Sequence, residues 1–153
     1  MNNAQRFSDI EFQNENTLKL TFIDKNKQPL IIPNTDKIEI ILFDDYLNYI
    51  KVFGEVFGRL DMTPEDWKNF KNVISQSSKY VFCGDNAILV LDNMTNYKNF
   101  TQQGTLYVCS KRGFYYEIDL NYDYEKANDF ISALEKNTNK NTSDLSQTEA
   151  FSK

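Results

Sequence analysis

The chain has 153 residues, 41% of them apolar and 25% charged, with a formal net charge of -5 and no His. That length suits one domain with core enough to fold without metal or crosslink. Lacking His, it lacks the commonest general base near neutral pH and the commonest metal ligand, and two Cys are too few for a disulfide scaffold.

No stretch approaches the ~20 apolar residues of a membrane span. Residues 1–6 lack the apolar run of a signal peptide, so a cytoplasmic location is expected. After a polar start, Asp9–Gln13 and Thr17–Ile23 read as strands, with Leu18, Leu20 and Phe22 sharing a face. Pro29 and Pro33 bracket Leu30-Ile31-Ile32, which reads as a loop or edge segment because Pro cannot donate to a ladder. Lys37–Phe43 reads as a central strand, with apolar side chains on both faces.

Asp44-Asp45 then changes the period. Tyr46, Leu47, Ile50 and Phe53 stand at helical spacing before Phe57-Gly58, predicting a first helix. A second is marked by Thr63 as cap, Pro64 at the first helical position and Asp66 three residues after Thr63. Trp67, Phe70, Val73 and Ile74 form its apolar stripe.

Lys79–Cys83 and Ala87–Leu91 form a predicted hairpin across Gly84-Asp85-Asn86. Asp92–Gln103 is polar and reads as irregular, with Tyr97 and Phe100 tucked against the body. Thr105–Cys109 and Phe114–Leu120 form a second hairpin across Ser110-Lys111-Arg112-Gly113. Ala127, Phe130, Ile131 and Leu134 then mark a closing amphipathic helix.

These elements predict an α+β domain: an antiparallel sheet or partly closed barrel of about seven strands. A two-helix insertion would follow the third strand, and a C-terminal helix would pack on the sheet. The order of elements over residues 9–136, hairpins followed by a closing amphipathic helix, is similar to a pleckstrin-homology-like barrel. It implies a terminal helix plugging one open end and a lipid headgroup at the cationic turns. One globular domain over 1–136 and a disordered tail over 137–153 are expected, with Leu145 and Phe151 the tail's only large apolar groups.

Phosphate-loop, dinucleotide, zinc and nucleophile-elbow motifs are absent, so no catalytic residue, metal or cofactor is assigned. The interval Asp36–Asp66 holds eight acidic residues against Lys37, Lys51 and Arg59, an excess of five that equals the net charge. The expected role is therefore a non-enzymatic protein-binding protein of inhibitor, immunity or adaptor type. It would meet a basic protein partner and no nucleic acid. Its surface would be the acidic helical insertion, with Asp44, Asp45, Tyr49, Glu55 and Asp61. Lys111, Arg112 and Gly113 form an alternative anion-binding turn for a lipid headgroup or phosphate. A small hydrolase using the carboxylates Glu117 and Asp119 is the remaining alternative. The partner's identity, the oligomeric state and any pairing of Cys83 with Cys109 stay open.

Overall fold

The computed structural model describes residues 5–98 and 102–145, with side chains described as far as Asn137. Its centre is the strand Ile38–Asp44, numbered β4 in chain order, whose run Ile38-Glu39-Ile40-Ile41-Leu42-Phe43 is apolar at all but one position. Such a strand is stable only when both of its faces are covered. Ile38, Ile41 and Phe43 enter one core, whereas Ile40 and Leu42 enter another. A register shift between Ile38 and Ile40 sets this phase.

The central sheet contains β4, β5 (Tyr49–Gly54), β6 (Gly58–Asp61), β7 (Tyr80–Phe82) and β8 (Ala87–Val90), in the order β6-β5-β4-β8-β7. A three-stranded sheet of β1 (Phe7–Asn14), β2 (Thr17–Phe22) and β3 (Leu30–Ile32) covers one face. Helix α1 (Pro64–Ile74) joins it, burying Trp67, Phe70 and Ile74. A sheet of β9 (Met94–Tyr97), β10 (Thr105–Ser110) and β11 (Tyr115–Asp119) covers the other face. Helix α2 (Asn128–Leu145) closes that second core with Phe130 and Leu134, after Ala127 in the turn before it. Among the described residues, all strand pairs are antiparallel.

The α+β class and the antiparallel pairing therefore hold, but the barrel does not. Three sheets lie in layers, and neither a closed barrel nor a pleckstrin-homology fold results. The two-helix insertion is also corrected to a hairpin followed by one helix. Asp44 Oδ1 accepts from the Tyr46 and Leu47 N–H groups, both at 2.9 Å, and Asn48 adopts φ 60°. That reversal sends Tyr49–Gly54 back beside β4, where Ile50 and Val52 face the first core and Phe53 the second. β-Branched and aromatic side chains favour this half-buried pleated surface over a helix.

Leu30–Ile32 is an edge strand, one of the two forms its prolines allowed, and Met94–Tyr97 is a strand where irregular chain was expected. Tyr97 does pack on the second core, while Phe100 lies outside the described residues.

The second helix follows its capping signals. Thr63 Oγ1 accepts from the Asp66 N–H at 3.2 Å, and the Asp66 carboxylate accepts from the Thr63 N–H at 3.3 Å. The same buried carboxylate also accepts from the backbone N–H groups of Arg6 and Phe7, tying β1 to α1.

Gly54 adopts φ 153°, and a Cβ there would stand 2.4 Å from the Lys37 carbonyl oxygen. Neither strain nor contact is relieved without moving β4. Gly54→Ala should therefore cost about 2 kcal/mol or more in urea unfolding. A loss within the usual surface-mutation range would show that this approach is not a constraint.

Candidate functional site

Sheet packing gives the molecule two chemically different ends, because β4 and β11 each run from one to the other. Near the start of β4, Glu39 is the one carboxylate within the apolar run of residues 38–43, with its side chain only 3% exposed. Its two oxygens are held separately. Arg112 Nε donates to Oε2 at 2.7 Å, and the Tyr116 hydroxyl donates to Oε1 at 2.5 Å. Arg112 also donates through Nη2 to the Gly54 carbonyl at 3.1 Å. Burial, with the Glu39 carboxylate second, pushes the Tyr116 phenol above its ordinary pKa. The β10–β11 hairpin is thereby fastened to the central sheet by its own turn.

Around that fastening lies a surface of aromatic rings and cations. Phe114 and Tyr115 are consecutive and about half exposed, at 52% and 51%. The Arg112 guanidinium lies 4.8 Å from the Phe114 ring centre, and the Lys98 ammonium 4.6 Å from that of Tyr115. Such placements draw a cation to the face of an aromatic ring. Lys111 projects from the same turn and is exposed. Behind the hairpin, Phe53 touches both Phe57 and Tyr116, with ring centres 5.5 and 5.6 Å apart. Phe57 is itself 74% exposed.

The opposite end carries a cleft of about 510 Å³ between the last residues of β4 and β11. Asp44, Asp45, Asp85, Glu117 and Asp119 line it against Lys51 and Lys126, five carboxylates to two ammonium groups. The N–H groups of the Asp44 turn, that of Leu47 foremost, hold the Asp44 carboxyl below its ordinary range. Lys126 pairs with Asp85, Asn86 Nδ2 donates to Asp45 at 3.3 Å, and the Asn121 N–H donates to Asp119 at 2.8 Å. This end attracts cations and repels phosphates.

The five residues expected on the acidic helical insertion lie on no helix and are spread over separate parts of the molecule. Asp44, Asp45 and Tyr49 line the cleft, Asp61 lies on the edge strand β6, and Glu55 follows β5 at the hairpin end. Tyr49 is buried, with the Arg59 guanidinium 3.8 Å from its ring centre. Lys111, Arg112 and Gly113 do stand together at one turn, although Arg112 is committed to Glu39. Glu117 and Asp119 are exposed, without the burial that a general acid needs. Cys83 and Cys109 are free and buried, and burial pushes the Cys83 thiol up to about 12.

Lys98 and the exposed Phe57 escaped the reading of the sequence. Phe57 was placed at a helix end, and Lys98 in a segment read as irregular. A usable signal was present nearby: a Lys-Arg-Gly turn running directly into three aromatic residues.

No protein-family model and no curated protein matches the chain. Among solved structures it is similar to the LytTr DNA-binding domain of a Bacillus cereus protein. The TM-score is 0.45 at 13% identity, over 71% of this chain and 91% of that one. The expected inhibitor, immunity or adaptor role, with a basic protein partner and nucleic acid excluded, is corrected here. The acidic helix on which those expectations rested is a hairpin, and its acids are dispersed over the cleft, the edge strand β6 and the hairpin end. The lipid-headgroup and carboxylate-hydrolase alternatives fall with the barrel and with the exposure of Glu117 and Asp119. At this TM-score the likeness itself assigns no function. Among the described residues, no helix is long and apolar enough to cross a membrane.

The two cations of the turn have different roles. Arg112→Ala leaves Glu39 buried with Tyr116 as its one remaining partner, and should cost about 2–3 kcal/mol because Arg112 is itself 40% exposed. Lys111→Ala should stay within about 0.5 kcal/mol. Equal urea midpoints for the two variants would contradict the assignment of Arg112 as the fastening.

Proposed function

We propose that this chain is a non-catalytic module that binds single-stranded nucleic acid at the β10–β11 hairpin end. One observation carries the reading: Phe114 and Tyr115 are consecutive and half exposed at the hairpin end, each with a cation near its ring. Bases stack on such rings for about 1–3 kcal/mol each, and the stacking is tolerant of sequence. Lys98, Lys111 and the exposed part of Arg112 would neutralise the phosphates between stacked bases. Lys111, Arg112 and Gly113 thus serve as the anion-binding turn of a wider surface.

The negative net charge does not oppose this placement. Of the eight acids in Asp36–Asp66, Glu39 and Asp66 are buried and hydrogen-bonded inside the protein. Asp44 and Asp45 lie at the cleft end. Asp36 and Glu55 lie at the hairpin end beside Lys37: Asn93, whose carbonyl accepts from the Lys111 N–H, donates to the Asp36 carbonyl, and the Glu55 N–H donates to the Lys37 carbonyl. The acidic cleft would turn a polyanion away and present the hairpin instead. The reading includes a cytoplasmic location, where nucleic acid is met and buried thiols stay reduced. It also takes 1–136 as the working domain, with 137–153 dispensable.

Fluorescence anisotropy with a labelled single-stranded oligonucleotide tests the proposal. Phe114→Ala and Tyr115→Ala should each weaken binding by roughly tenfold or more. Lys111→Ala should reduce the salt slope by about 0.7. No binding at low salt, or binding that all three variants leave unchanged, would overturn it. A stronger preference for duplex would do the same, since the hairpin surface offers stacking to unpaired bases. Binding and melting of a chain ending at Thr138 should match those of the intact protein, and a large loss in either would reject the domain boundary.

A further inference from the structure

The first core is open along one side. The sheet β1-β2-β3 ends in β3, the central sheet ends in β6, and an apolar groove of about 260 Å³ lies between those two end strands. Leu30, Ile32, Ile50, Val52, Val56 and Leu60 line it. An open apolar edge of this kind is what a further strand covers.

The outer edge of β6, the end strand of the central sheet, carries a self-complementary pattern. Its register against β5 sets Leu60 opposite Ile50 and Arg59 opposite Lys51, and the Met62 N–H donates to the Asn48 carbonyl. Antiparallel alternation then turns the backbone groups of Leu60 and Met62 toward β5, and those of Arg59 and Asp61 outward. Arg6 Nη1 reaches the Asp61 carbonyl at 2.8 Å, which leaves that oxygen a second lone pair. The Arg59 and Asp61 side chains share a face, 4.0 Å apart. Leu60 is on the other face, packed against the first core.

We propose that a second copy of this chain docks on this edge, β6 against β6, about a two-fold axis at Leu60. Antiparallel pairing there sets Arg59 opposite the partner's Asp61 and Asp61 opposite the partner's Arg59. All four residues present their outward N–H and C=O groups to one another. A two-fold contact requires one surface to complement itself, and one cation and one anion equidistant from a central apolar residue satisfy that condition. The two central sheets become one continuous sheet, and the two apolar grooves meet beneath it around the Leu60 pair.

Sedimentation velocity on the full chain, from a few to several hundred micromolar, tests the proposal. A concentration-dependent dimer is expected. Arg59→Asp or Asp61→Arg alone should weaken it by about tenfold or more, because like charges then face each other. The double exchange Arg59→Asp with Asp61→Arg should restore it. Leu60→Cys gives an independent readout, since the two thiols meet at the axis and should form a covalent dimer under mild oxidation. Circular dichroism establishes that each variant is folded. A chain monomeric throughout, single variants without effect, a double variant without rescue, or no crosslink would each overturn the proposal.

Discussion

A carboxylate buried near the start of an apolar strand has to find partners, and much of this structure follows from how Glu39 finds them. β4 is shared by two cores, so Glu39 cannot reach solvent by turning over without exposing its apolar neighbours. Its oxygens are satisfied by Arg112 and Tyr116, from the far end of the chain. Removing either partner leaves a buried charge short of hydrogen bonds, which is far costlier than losing an exposed ion pair. The pair therefore fixes where the β10–β11 hairpin sits on the central sheet. With the hairpin fixed, Phe114 and Tyr115 are held outward rather than free to collapse onto the core.

The same geometry separates charge. Carboxylates at the ends of β4 and β11 collect round one cleft, and the exposed cations of the hairpin lie at the other end of those strands. A net charge summed over the chain conceals this separation. It counts Asp66, which is buried in the α1 cap, equally with Asp45 on the surface. Location and partnering decide which charges a ligand meets, and here they favour opposite kinds of ligand at opposite ends.

Much of the fold was legible because its signals are local. Thr63, Pro64 and Asp66 mark the start of α1 through hydrogen bonds that span three residues. Ala127, Phe130 and Leu134 mark the closing helix by spacing alone. Tyr46–Phe57 misled because Tyr46, Leu47, Ile50 and Phe53 fit a helical stripe, while Ile50 and Val52 fit a strand equally well. What decides between them is not local: Asp44 capping a tight turn, Asn48 in a left-handed conformation, and β4 waiting for a neighbour. The site was partly legible. The Lys111-Arg112-Gly113 turn was singled out, but the commitment of Arg112 to a residue 73 positions away was not readable from any spacing. The rings of Phe53, Phe57 and Tyr116 likewise meet only after folding.

The central claim is that the hairpin end, and not the acidic cleft, meets nucleic acid. Titrating a ¹⁵N-labelled chain with an unlabelled single-stranded oligonucleotide, and following backbone amide shifts, tests it most directly. The account predicts shifts concentrated at Lys98, Lys111–Tyr115 and Phe57, with Asp44–Asn48 and Asp85 unmoved. Shifts centred on the cleft residues, or none at saturating oligonucleotide, would contradict it.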